Sequence, residues 1–71
     1  MVNINKLKGK IVERGLSIPE LAGIIGISKA TFYRKIKAGG HNITIGEADL
    51  IAGALNLNQE ELNTIFFDSK S

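Results

Sequence analysis

Apolar residues recur along the chain at intervals of three and four, the spacing of one helix face, and no stretch sustains the two-residue alternation of a strand. The pattern predicts five helices. The first runs from about Ile4 to Arg14, with Leu7 and Ile11 on one face and Gly15 placed to end it. Gly9 in its middle costs about 1 kcal/mol relative to Ala, and a close approach of another helix would account for it. The second begins at Ser17. Ser17 and Glu20 have the spacing of a capping box, and Leu16 with Leu21 that of a hydrophobic staple. Pro19 is tolerated because first-turn amides lack helical partners. Leu21, Ala22 and Ile25 point inward, and Gly26 ends the helix. The third is capped by Ser28, stapled by Ile27 and Phe32, and stopped by Gly39 and Gly40. The fourth opens with a Thr44–Glu47 box and turns Ala48, Ile51, Ala52 and Leu55 inward. The fifth starts at Asn58, with Leu57 and Leu62 as its staple, and ends near Phe66 and Phe67. The fold class is all-α, a compact five-helix bundle over residues 1–67, with 68–71 expected as a frayed, disordered tail.

The chain has 71 residues, enough for one small domain. A domain of this size buries only roughly 60% of its unfolded surface, so helix caps weigh heavily in its stability. There is no Cys, which excludes disulfides and thiolate metal sites. No apolar run approaches a membrane span, and the N-terminus has no signal-peptide core. The expected setting is cytoplasmic, with no membrane partner. The net charge of +2 conceals an asymmetry. Residues 1–37 hold eight basic and two acidic side chains, a net of +6, whereas 38–71 hold one and five, a net of −4. A basic half joined to an acidic half suggests one face for a polyanion and another for something else.

The segment from Ser17 to Lys37 carries the functional signal. It places two short helices around a turn that Gly26 and Ile27 almost fill. The inward set is Leu21, Ala22, Ile25, Ile27 and Phe32, with Ile36 four residues beyond Phe32 on the same face. Ala22 must be small if the third helix crosses above it. Gly26 supplies a left-handed turn residue, and Ile27 plugs the turn. In a helix-turn-helix built this way, the second helix braces the third, which projects into the DNA major groove.

The run LAGIIGIS with its flanking helices resembles the lambda-type repressor and Cro superfamily of phage and bacterial regulators. The likeness extends from about Lys6 to Phe67, and ALNLNQEELNTIFF is similar to the fourth and fifth helices of small phage members. The resemblance implies a five-helix domain, usually dimeric, that binds operator DNA and represses or switches transcription. That superfamily usually places its next buried residue three positions after Phe32. Here this is Lys35, and the apolar residue is Ile36. In this respect GISKATFYRKI is closer to the helix-turn-helix of Fis and related activators. Two rolls of the third helix are therefore open.

With Phe32 and Ile36 inward, Lys29, Ala30, Tyr33, Arg34 and Lys37 face outward. Arg34 is the foremost base-contact candidate, since a guanidinium pairs with both major-groove acceptors of guanine. Lys29, Ala30 and Tyr33 complete the base-facing set: a guanine edge or phosphate for Lys29, a thymine methyl for Ala30, and a phosphate within reach of the Tyr33 hydroxyl. Ser17, Ser28, Lys35, Lys37 and His41 are phosphate candidates, which add salt-dependent affinity without sequence information. Ser17 and Ser28 serve first as caps, and Lys35 and Lys37 also suit a helix C-terminus. His41 is the sole histidine and has no Cys or clustered carboxylates beside it to form a metal site. Gly39–Gly40 is not a P-loop, because no Lys-Ser or Lys-Thr follows. No nucleophile–base set is visible, so neither catalysis nor a cofactor is expected. Helices four and five hold more apolar residues than one inner face needs, Leu50, Ala54, Ile65, Phe66 and Phe67 among them, which suggests a homodimer through the C-terminal helices. The expected partner is a double-stranded DNA operator. The competing readings are a protein-interaction module, such as an antitoxin or anti-repressor partner, and nonspecific nucleoid packaging.

Overall fold

The structure, a computed structural model, describes residues 2–67. Among these it contains five α-helices and no strand: α1 (Ile4–Glu13), α2 (Ile18–Ile25), α3 (Lys29–Lys37), α4 (Ile45–Leu55) and α5 (Gln59–Phe66). The tail expected at 68–71 lies outside the described residues.

Each helix starts at a residue whose side chain accepts a hydrogen bond from an amide of the first turn. Asn3, Ser17, Ser28, Thr44 and Asn58 take these places. A cap of this kind stabilises its helix by about 1 kcal/mol. The Ser17–Glu20 and Thr44–Glu47 boxes both form. A third box joins Asn58 to Glu61, with the Glu61 amide donating to Asn58 Oδ1 at 2.7 Å and the Asn58 amide to Glu61 Oε1 at 3.0 Å. The sequence reading placed a helix start at Asn58 without recognising the box, because Asn rather than Ser or Thr leads it. Arg14 is the cap that follows α1 rather than its last helical residue.

The core draws a pair of large apolar side chains from every helix, with Ala22 of α2 and Ala48 of α4 added to them. Leu7 and Ile11 come from α1, Leu21 and Ile25 from α2, Phe32 and Ile36 from α3, Ile51 and Leu55 from α4, and Ile65 and Phe66 from α5. Helix α2 packs against α1, α3 and α4 and so holds the recognition region to the rest of the body. The N-terminal segment is tied to α5 by the Asn3 amide, which donates to the Ile65 carbonyl at 2.6 Å. Two expectations change. No helix crosses at Gly9, where an added Cβ would meet nothing within 4 Å. The bulky chain end divides: Ile65 and Phe66 enter the core, while Phe67 stays half exposed, as does Leu50 on α4. Ile45, in the first turn of α4, is 72% exposed.

The loop from α3 to α4 depends on Gly40. Its φ is +83°, and a Cβ there would lie 2.7 Å from the Val2 Cβ. A side chain at this position is opposed both by left-handed strain and by the N-terminal segment packed beneath the loop.

Candidate nucleic-acid interface

The corner between α2 and α3 is built from the backbone. Gly26 takes φ 85° and ψ 25°. The amides of Gly26 and Ile27 both donate to the Ala22 carbonyl, at 2.9 and 3.0 Å. This satisfies carbonyl groups that a helix end otherwise leaves open and turns the chain sharply into Ser28. Ala22 is buried, and Ile27 packs partly buried against the core. The Ser28 hydroxyl accepts from the Thr31 amide at 3.1 Å and donates to Thr31 Oγ1 at 2.8 Å. Its capping role therefore employs both its acceptor and its donor.

The roll of α3 follows from burial. Phe32 is fully buried and Ile36 is 5% exposed, so the Phe32–Ile36 stripe faces the core. Lys29, Ala30, Arg34 and Lys37 are exposed, and Tyr33 is half exposed. Ala30, Tyr33, Arg34 and Lys37 line one open groove along α3, joined by Lys8 of α1. Ser17 lies in an adjoining groove with Lys8, Pro19 and Tyr33. Lys29 and Ser28 sit at the exposed start of α3, and His41 is exposed in the loop after it. None of those three lines either groove.

Lys35 does not join the outward set. Its ammonium donates to Glu47 Oε1 at 3.0 Å and to the Asn42 carbonyl at 2.8 Å, and both side chains of the ion pair are only 18% exposed. The position at which the superfamily usually buries an apolar residue is thus filled by a lysine that ties α3 to the cap of α4. Glu47 accepts from the Thr44 amide as well, and this bond, reinforced by Lys35 and opposed by desolvation, holds its carboxyl below the usual range.

Two other basic residues of the N-terminal half are also engaged. Lys10 pairs with Glu61, and with Glu13 at 3.4 Å. The Glu61 contact raises the Lys10 pKa and lowers that of Glu61. Arg14 Nε donates to the Leu55 carbonyl at 2.7 Å, covering the C-terminus of α4, and its guanidinium lies 3.5 Å from Glu13. Among the described residues Lys6, Lys8, Lys29, Arg34 and Lys37 form no ion pair. Sequence reasoning passed over Lys8, because nothing local brings α1 beside α3. It also missed Arg14 at the end of α4, a contact between residues 41 positions apart.

An exposed cationic helix braced at a glycine corner, within five helices of this order, defines a helix-turn-helix DNA-binding protein. A family model described as the Cro/C1-type HTH DNA-binding domain matches residues 6–68, and the chain belongs to that family. No curated protein and no solved structure matches it. Members of this class typically act by binding rather than by catalysis. Among the described residues there is no cluster of His, Cys, Asp or Glu that would hold a metal ion. Nor, among these residues, is any helix long and apolar enough to cross a membrane.

Proposed function

We propose that the protein is a sequence-specific regulator of transcription, a repressor or Cro-like switch of the kind carried by phages and mobile elements, acting in the cytoplasm of a bacterial cell. Helix α3 enters the major groove of an operator. Arg34 pairs with a guanine, Ala30 meets a thymine methyl, Lys29 reaches a guanine edge or a phosphate, and Tyr33 and Lys37 engage the backbone, with Ser17, Ser28 and His41 at the margins. The observation that carries this reading is the division of α3: its apolar stripe is buried, and its opposite stripe is exposed and cationic with no acidic side chain in the helix. Because Lys35 is held by Glu47 and the Asn42 carbonyl, it is not assigned a phosphate.

The protein acts as a homodimer through its C-terminal helices. Ile45, Leu50 and Phe67 support this, as apolar side chains at least half exposed in the C-terminal half of the chain. Two recognition helices must lie about 34 Å apart to enter successive major grooves. Selection of duplexes from a random pool tests the whole reading. A palindromic consensus is expected, and a pool that shows no enrichment overturns it. Sedimentation at low concentration tests the dimer, and a monomer both free and on DNA overturns that part.

A further inference from the structure

The cations of α1 look in different directions. Lys6 and Lys10 line a groove of about 440 Å³ that also holds Glu13, Glu60 and Glu61. There three carboxylates face two cations, so the groove is net acidic. Lys8 stands about 200° around the helix from Lys6. It lines a groove of about 490 Å³ with Tyr33, Arg34 and Lys37, floored by Ile18 and Ile36. No carboxylate lines that second groove, and among the described residues Lys8 has no ion pair. Three cations that repel one another and one phenol hydroxyl share an opening that no carboxylate among the described residues lines.

We propose that Lys8 is a DNA-phosphate contact, so that the footprint extends beyond the helix-turn-helix onto α1. The inference rests on α3 being the reading helix. A helix with its side chains is about 10–12 Å across and the major groove about 12 Å wide, so a bound α3 fills the groove and a phosphate backbone runs along each flank. The groove between α1 and α3 is one such flank. A cation on its far wall meets a phosphate rather than a base edge. Lys8 therefore adds affinity equally for all sequences and contributes one released counterion.

The test measures the binding of a labelled random-sequence duplex across a potassium chloride series, for the wild type, Lys8→Gln, Lys8→Arg, Lys6→Gln and Arg34→Ala. All four substitutions are at exposed positions, and melting curves check that each variant folds. Lys8→Gln is expected to reduce the magnitude of the slope of log affinity against log salt by about 0.9, so that its loss is about threefold larger at 50 mM than at 200 mM. Lys8→Arg restores the slope, and Lys6→Gln keeps wild-type behaviour. Wild-type slope and affinity in Lys8→Gln, alongside weakened binding in Arg34→Ala, overturn the inference and leave α3 as the helix that faces DNA. Absence of salt-sensitive duplex binding by the wild type overturns both.

Discussion

The N-terminal half is basic and the C-terminal half acidic, and the two halves do not stand apart as two faces. Acidic side chains from the second half select basic ones from the first: Glu61 takes Lys10, and Glu47 takes Lys35. The Leu55 carbonyl takes Arg14. Among the described residues five cations remain unpaired; Lys6 lies on the acidic groove of α1, whereas Lys29, Arg34 and Lys37 on α3, with Lys8 of α1, belong to the proposed DNA surface. Net charge by segment therefore overstates the footprint. A lysine in an ion pair has already exchanged its hydration for a carboxylate and braces the fold, whereas an unpaired one is free for a phosphate.

The largest effect is expected where the frame behind both sets is disturbed. Ala22 is 1% exposed beneath the α2–α3 corner. Ala22→Leu adds three carbons to that space, and overpacking there is expected to cost about 1–3 kcal/mol or more. Thermal melting reads the loss, and wild-type stability would mean that the helices leave room there. Arg34→Ala is expected to act in the opposite domain of measurement. Melting stays at the wild-type temperature, while discrimination at one base pair falls by about 1–3 kcal/mol. If the loss is equal on every sequence, Arg34 holds a phosphate instead.

The fold was legible because its determinants are local. Caps three residues from their partners, staples, and an apolar residue every three or four positions describe each helix without reference to the others. Gly26 announced the corner for the same reason. The roll of α3 was less legible, because Lys35 and Ile36 offer two buried candidates and only the position of Glu47, on another helix, decides between them. Gly9 misled because a glycine in a helix marks a close approach in some proteins and open solvent in others. Asn56, left-handed at φ 54° where α4 ends, passed unnoticed as a stop signal. The proposed site depends on which cations find partners, and those partners are distant: Lys10 with Glu61, Arg14 with the Leu55 carbonyl.

Lys35 and Lys37 lie two residues apart and sharpen the contrast between brace and contact. Lys37→Gln is expected to lower the salt slope of DNA binding by about 0.9 with little change in melting. Lys35→Gln is expected to lower stability by no more than about 1 kcal/mol, because the pair retains some solvent access, and to leave the slope unaltered. A reduced slope in Lys35→Gln would mean that the ion pair with Glu47 opens on DNA and the lysine changes partners.

The smallest effect concerns pH and follows from the same pairs. The carboxyls of Glu47 and Glu61 both lie below their ordinary value of 4.5, Glu47 chiefly through the Thr44 amide and Glu61 chiefly through Lys10. A carboxyl lowered in the folded state contributes stability that is fully present above its unfolded value and is lost as pH falls through its folded one. Lys10 is raised above 10.5, so its contribution is lost only at more alkaline pH. Melting temperature is therefore expected to be flat with respect to these groups near neutrality and to fall as pH drops below about 4.5. Glu47→Gln separates the two roles of that side chain. Glutamine keeps the capping-box geometry but neither titrates nor pairs ionically with Lys35. The variant is expected to be somewhat less stable at pH 7 and to lose less on acidification. Acidification therefore weakens the braces at Glu47 and Glu61. A Glu47→Gln acid profile parallel to that of the wild type would mean that the Lys35–Glu47 pair contributes nothing to holding α3 against α4.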